Sequence, residues 1–343
     1  MNHTFATPEG TARFVARQSR SRECGFYRPF NNLQISSLGL GTYLGNPDDP
    51  TDIAYRDAVI AAVRGGINFL DTAINYRHQR SERSIGAALA ELFAAGDTQR
   101  DQIVVATKAG FLTPGAVSGF LKPEDIAGGM HSMQPDFLAD QIDRSRANLG
   151  LDTVDIFYLH NPETQLGFVN REEFDRRIRL AFAKLETLVA DGKIRNYGTA
   201  TWEGFRAPAA KPALDLARLV EIATEVGGAQ HHFRFVQLPF NLAMPEALTN
   251  GVLDLAAQSG IAVVASATLL QARLARNLPE GLAEKFPGLT TDAQRAIQFT
   301  RSTPGILAAL VGMSRAAHVA ENLAVAGVPA LTENAYRDLY QRA

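Results

Sequence analysis

Gly66-Ile67-Asn68-Phe69-Leu70-Asp71-Thr72-Ala73-Ile74-Asn75-Tyr76 is the stretch on which the reading of the fold turns. Ile67, Phe69 and Leu70 are apolar or β-favouring, and Gly65-Gly66 closes off whatever precedes them, so a short buried strand is expected. The strand delivers an acid, Asp71, and five residues later a phenol, Tyr76. A carboxylate at the end of a buried strand is costly unless it is paired or caps a turn. Taken alone, Asp71 reads as a working acid before a turn cap, and Tyr76 as a packed ring before a working phenol.

Working outward, the same strand-then-helix unit repeats. Upstream, residues 25–33 read as irregular or hairpin structure closed by Asn31-Asn32. Residues 37–42 form a short apolar strand, and 52–64 have helical spacing with Thr51 or Asp52 as the cap. Downstream, strands are expected at 102–107, 153–159, 194–199, 234–238, 261–265 and 306–311. Helices are expected at 81–94, 135–149, 172–190, 213–226, 246–258, 293–302 and 316–324, with an extra C-terminal helix at 332–341. Nearly every strand is a continuous apolar run, which means burial on both faces and hence a parallel sheet. Eight such units close most naturally as a (β/α)8 TIM barrel. A doubly wound open sheet is the alternative, but no Gly-x-Gly-x-x-Gly follows an early strand. Gly39-Leu40-Gly41 lacks the third glycine. No linker divides the chain, so residues 24–343 are expected to form one barrel behind an N-terminal arm at 1–23. The arm carries Arg13, Arg17, Arg20 and Arg22 and also has the composition of a targeting peptide; an arm packed on the barrel, or frayed, is the preferred reading.

Composition narrows the function. At 343 residues, 46% hydrophobic and 20% charged, the chain has the make-up of an ordinary globular protein. A net charge of -2 supplies no field to draw it to nucleic acid or a membrane surface. No apolar run approaches the roughly 20 residues of a membrane span. The single cysteine, Cys24, excludes an internal disulfide and suits a reducing compartment, so a cytoplasmic location is expected.

In a barrel, residues at the C-terminal ends of the strands share one mouth. Asp71 and Tyr76 follow the second strand, Lys108 ends the third and His160 ends the fourth. Together they suit proton transfer to an oxygen. A buried lysine beside tyrosine is expected to lower the phenol's pKa from about 10, and a carboxylate keeps that lysine charged. Histidine can donate to and orient a carbonyl oxygen. The set offers a proton and an oxyanion site but no hydride, which a cofactor must bring. Metal chemistry fits poorly: the only paired histidines, His231-His232, belong to the foot of the sixth strand.

These motifs resemble those of the aldo-keto reductases. Residues 66–76 resemble the family's first signature, Val-Val-Ala-Thr-Lys (104–108) its strand-three lysine motif, and Asp-Ile-Phe-Tyr-Leu-His-Asn-Pro (155–162) its strand-four histidine motif. Ser81-Glu82 with Gly86 also match, and the likeness runs from about residue 33 to 322. The resemblance implies a TIM barrel that binds a nicotinamide dinucleotide, usually NADP with NAD as the alternative, without a Rossmann domain. It implies that Tyr76 is the general acid, that Asp71 and Lys108 tune it, and that His160 orients the substrate carbonyl. For the cofactor it implies Gly41, Thr42, Asp71, Thr201, Gln237, Ser266, Gly312, Ser314, Arg315, His318, Glu321 and Asn322, with Ser314-Arg315 near a 2′-phosphate. Ala200 stands where a serine is common. Ala265 stands where many members have an aromatic that stacks on nicotinamide, leaving Trp202 or Phe240 to substitute.

Tyr43, Phe111 and Trp202 are expected to bind a small carbonyl or alcohol substrate, with Phe120 and Met130 adding apolar surface from the long 109–132 loop. Three activities fit: a carbonyl reductase, the same chemistry run as a sugar or alcohol dehydrogenase, or a nucleotide-binding sensor without turnover.

Overall fold

The computed structural model describes residues 4–18, 24–206 and 213–339. Its first elements are helix α1 (Pro8–Ala16) and the antiparallel hairpin β1 (Tyr27–Phe30) and β2 (Leu33–Ser36). Strands and helices then alternate: β3 (Leu38–Gly41), α2 (Asp49–Arg64), β4 (Phe69–Asp71), α3 (Arg80–Ala94), β5 (Val104–Ala109) and α4 (Pro135–Leu149). They continue as β6 (Val154–His160), α5 (Arg171–Ala190), β7 (Ile194–Ala200), α6 (Leu216–Gly227), β8 (Phe233–Pro239), α7 (Val252–Gln258) and β9 (Ala262–Ser266). The short α8 (Leu282–Lys285) lies in the loop before α9 (Asp292–Ser302), followed by β10 (Ile306–Gly312), α10 (Ala316–Asn322) and α11 (Glu333–Arg337). Eight strands, β3 to β10, pair in parallel and close into a barrel, β10 returning to β3. This is the (β/α)8 barrel expected from the apolar runs.

Element ends differ from the sequence pattern for identifiable reasons. Helix α2 begins three residues before position 52, because the Asp48 carboxylate caps the Thr51 N–H at 2.9 Å and Pro50 sits in the first turn. The stretch 246–258 is not one helix. A 3₁₀ turn (Glu246–Leu248) precedes Gly251, whose φ of +78° breaks the path before α7. Helix α6 starts at Leu216, capped by Asp215, rather than at 213. The C-terminal helix is shorter than expected; positions 340–341, like Arg20 and Arg22 of the arm, lie outside the described residues.

Two apolar sets hold the barrel. Outward-facing strand residues such as Val105, Phe157 and Val236 pack under the helices. Inward-facing ones, including Phe69, Val104, Ala106, Ile156, Tyr158, Phe235 and Val264, fill the interior. Side chains alternate along a strand. The inward row Val104, Ala106 therefore continues to Lys108, Ile156 and Tyr158 to His160, Phe69 to Asp71, and Phe235 to Gln237. The period that fills the core also aims these polar groups into the mouth. Strands β7 and β8 approach so closely that a Cβ on Gly198 would lie 1.9 Å from the Phe235 carbonyl oxygen, so only glycine fits there.

The opposite end of the barrel is plugged. Phe30 and Leu33 of the hairpin pack on the interior set, the Phe30 ring 5.0 Å from that of Phe235. Asp155, at the foot of β6, accepts hydrogen bonds from Ala6 N (2.7 Å), Val105 N (2.8 Å) and Arg100 (2.7 Å). It holds the segment leading into α1 against the floor. Asp155→Ala leaves two buried N–H donors unpaired, so we expect a loss of about 1–3 kcal/mol for each. Urea denaturation measures it, and an unchanged midpoint would refute the tie.

Candidate active site

Strand ends β3, β4, β6, β7, β8, β9 and β10 border a cavity of about 480 Å³ at the mouth, a size suited to small-molecule binding. Of the residues singled out by sequence, Gly41, Thr42, Tyr43, Asp71, Tyr76, Phe111, His160, Thr201, Trp202, Gln237, Ser266 and Gly312 line it. Lys108 is fully buried behind them. Ser314, Arg315, His318, Glu321 and Asn322 do not border the cavity; they follow Gly312 on the loop and helix after β10. Phe120 and Met130 are exposed and do not line it either. Phe240 is buried and stacked on Phe299 at 6.0 Å in the helical layer, and Ala265 packs with the outer set. Of the two aromatic stand-ins, only Trp202 faces the cavity.

The polar centre is a buried ion pair. Lys108 Nζ donates to Asp71 Oδ1 at 2.5 Å and to the Thr72 carbonyl at 2.8 Å, and Gln237 Nε2 donates to Asp71 Oδ2 at 2.7 Å. Burial pulls the Asp71 carboxyl up and the Lys108 ammonium down, and each partner opposes the shift on the other. Glu82 lies deeper, fully buried, accepting from Thr107 (2.6 Å) and Asn148 (2.8 Å).

Tyr76 stands in front of this pair. Lys108 Nζ lies 5.0 Å from the centre of its ring, and Tyr43 meets the ring edge-on at 5.0 Å. The expected lowering of the phenol pKa is not found. Burial first, then the charge of Asp71 and the neighbouring Tyr43, hold the hydroxyl well above its ordinary value. Lys108 does not reverse this, because its charge is met by Asp71.

His160 is packed edge-on by Tyr76 (5.7 Å) and Phe111 (5.2 Å). Burial and the Lys108 charge hold it well below the usual histidine range, so it is neutral. Its Nδ1 lies 3.1 Å from Asn75 Oδ1. Asn75 also lines the cavity, and no sequence pattern singled it out. A polar residue in a loop carries no periodicity to betray it.

Two further groups shape the mouth. His131, fully buried on the long loop, donates from Nε2 to the His160 carbonyl at 2.7 Å. Gln165 Nε2 donates to His131 Nδ1 at 2.9 Å, and Arg177 donates to Gln165 Oε1 at 2.6 Å, which fixes the direction of the chain. Burial pushes the His131 pKa down to about 4. The approach explains Gly110, where a Cβ would lie 2.5 Å from His131 Nε2. Across the mouth, Glu163 Oε1 accepts from the Thr201 hydroxyl (2.6 Å) and the backbone N–H groups of Trp202 (2.9 Å) and Glu203 (3.1 Å), anchoring the loop after β7.

A profile of the aldo/keto reductase family matches residues 37–341. The chain belongs to that family. This aldo/keto reductase is 31% identical over 174 residues to an NADH-specific methylglyoxal reductase of Escherichia coli, a match covering 49% of each chain. It is 32% identical over 178 residues to a D-threo-aldose 1-dehydrogenase of a Pseudomonas species, covering 48% of this chain and 50% of the other. The chain thus spans about half the length of these relatives. Among solved structures, the glycerol dehydrogenase of Gluconobacter oxydans superposes with a TM-score of 0.67 at 22% identity, covering 92% of this chain and 95% of that one. An aldo/keto reductase of Klebsiella pneumoniae in complex with NADP and acetate gives 0.64 at 20% identity, covering 91% and 92%. At these identities the likeness is one of fold. No helix among the described residues is long and apolar enough to cross a membrane.

Removing one member of the buried pair strands the other. Lys108→Met is expected to destabilise the protein by about 3–5 kcal/mol, and Asp71→Asn combined with Lys108→Met by less than Lys108→Met alone. Urea unfolding of the single and double variants checks this; simple additivity would contradict the pairing.

Proposed function

We propose that this protein reduces an aldehyde or ketone with a nicotinamide dinucleotide, Tyr76 delivering the proton to the carbonyl oxygen. The observation that carries this reading is the cavity-lining Tyr76 backed by the buried Asp71–Lys108 pair. A phenol held above its ordinary pKa stays protonated at neutral pH and so arrives at the reaction with its proton. Lys108 Nζ lies 5.0 Å from the centre of the ring, and its pair with Asp71 seats the phenol on the cavity wall. Asp71 and Gln237 hold the lysine in place. His160 flanks the same position as a neutral ring.

The residues around the cavity fit a dinucleotide. Ala200, Gly41 and Gly312 keep backbone open to it, and Thr268 Oγ1 is buried without a partner on the loop after β9. That loop turns through Ala267, Leu270, Gln271 and Ala272, all at positive φ. Thr201 gives its hydrogen to Glu163 and accepts from the Gly204 N–H at 2.6 Å, which leaves one lone pair of its oxygen to accept from a carboxamide N–H. Gln237 and Ser266 border the same side, and Ser314, Arg315, His318, Glu321 and Asn322 continue beyond Gly312 for the adenosine end. When bound, the nucleotide supplies the hydride that no side chain of this protein can provide.

NADP is the favoured nucleotide. Arg315 is exposed and ion-paired to no described residue, which leaves it free for a 2′-phosphate. The NADP-bound Klebsiella structure is in keeping with this, while the NADH-specific Escherichia coli relative makes NAD the second reading. The relatives named for methylglyoxal and aldose support a small carbonyl or its alcohol as substrate.

Tyr76→Phe should lower the turnover number for carbonyl reduction by about 10²–10⁴-fold and leave the NADPH dissociation constant nearly unchanged. Retained turnover would remove Tyr76 from the chemistry, and nucleotide binding without turnover in the parent protein would point to a sensor. With the acid's pKa above about 10 and His160's below about 6.5, neither titrates between them. The reduction rate is therefore expected to be flat from about pH 7 to pH 9, and a break inside that window in stopped-flow reduction would contradict the assignment. Arg315→Ala should weaken NADPH more than NADH in fluorescence titrations; equal losses would exclude the 2′-phosphate role.

A further inference from the structure

Strands β6 and β7 pair as far as His160 and Ala200, and the Asn161 N–H closes the ladder on the Ala200 carbonyl at 2.6 Å. Beyond that bond the two chains part. Asn161 turns through a φ of +49°, and Pro162 opens a 3₁₀ turn that carries Glu163 in its first turn. From here a side chain continues the link between the strands. Glu163 Oε1 accepts from the Thr201 hydroxyl (2.6 Å) and from the N–H groups of Trp202 (2.9 Å), Glu203 (3.1 Å) and Gly204 (3.3 Å). Its Oε2 is buried with no partner among the described residues, so all four bonds fall on one oxygen.

The Thr201 hydroxyl is the group on which this oxygen acts. Thr201 is buried and borders the cavity, and Ala200 beside it brings no polar side chain. A hydroxyl ordinarily rotates to donate or to accept as its ligand requires. Here a carboxylate oxygen, which only accepts, takes the hydrogen, and the Gly204 N–H takes one lone pair at 2.6 Å. One lone pair remains for a ligand, and the two occupied directions fix the third. We propose that Glu163 is a positioning residue that makes Thr201 an obligatory hydrogen-bond acceptor, so that this wall takes the N–H end of a carboxamide and discriminates against nicotinamide analogues without an amide hydrogen. Such an analogue sets a methyl group or an oxygen against the lone pair and leaves it unpaired once water is displaced. The proposal rests on the dinucleotide reading above.

Isothermal titration calorimetry on the whole chain tests this with three ligands: NADP⁺, its 3-acetylpyridine analogue, in which a methyl replaces the amide NH₂, and 2′-phospho-ADP-ribose, which lacks the pyridine ring. The corresponding NAD series is run alongside. The parent protein is expected to bind the carboxamide nucleotide about tenfold more tightly than the acetyl analogue. In Glu163→Ala that ratio is expected to fall below about threefold, with the affinity for the ring-less nucleotide unchanged. Glu163→Asp replaces the alanine variant if that one fails to fold, because a chain one methylene shorter cannot bring the same oxygen to all four donors. Thr201→Val should lose the ratio by itself, and adding Glu163→Ala should change it no further, as expected of a residue that acts through another. Equal affinities in the parent overturn the proposal. So does a ratio that survives loss of the Glu163 carboxylate, which would assign the preference to Gln237 or Ser266, and so does an equal loss of the ring-less nucleotide, which would make Glu163 merely structural. These outcomes leave the dinucleotide reading standing, whereas a parent protein that binds no member of either series removes both.

Discussion

The 2.5 Å contact between Lys108 and Asp71 is the constraint around which the mouth of this barrel is arranged. A lysine with no exposed surface is tolerable only if its charge is paired and hydrogen-bonded. Asp71 and the Thr72 carbonyl accept from it, and Gln237 occupies the carboxylate oxygen that would otherwise be free. These residues come from three strands and the loop after one of them. Closing the barrel and completing the pair are therefore one event. The position of Tyr76 follows, since its ring is packed between Tyr43, His160 and the lysine.

The two walls of the cavity are held by different means. The wall at the end of β6 is pinned by a directed hydrogen-bond chain from Arg177 through Gln165 and His131 to the backbone of His160. The wall at the end of β7 is gathered on one oxygen of Glu163, which accepts from the Thr201 hydroxyl and successive backbone N–H groups. Gly204 N–H also donates to Thr201 Oγ1 at 2.6 Å, and Arg206 pairs with Glu246 at 2.9 Å to tie the far side of the same loop.

Much of this was legible in the sequence because buried parallel strands are written as continuous apolar runs. The period of two that makes Val104 and Ala106 core also aims Lys108 inward, so Asp71, Lys108 and His160 could be placed at one rim without coordinates. Helix starts were less legible. Asp48 and Asp52 are both capping residues, and only the position of Pro50 in the first turn separates them. Hydrophobicity misled at Phe120 and Met130, which are apolar but lie exposed on the long loop. Charge balance misled at Tyr76: whether a nearby lysine lowers a phenol's pKa depends on what else the lysine touches. Asn75 and Glu163 were invisible as site residues, because a loop amide and a loop carboxylate acquire roles only from partners distant in the chain.

The plug at the floor has a consequence for the order in which the chain can be assembled. Thr7 N bonds the carbonyl of Asp101, and Ala6 N bonds a carboxylate 149 residues further on. Phe14 and Val15 of α1 are buried in the folded protein, Phe14 against Tyr27 of the hairpin. During synthesis the first helix therefore leaves the ribosome well before β5 and β6, and must wait with its apolar face uncovered while they emerge. The arginine at 28 reaches further still, to the carbonyls of Arg301 and Ile306, so the full set of contacts on the hairpin is complete only when the last strand of the barrel is in place.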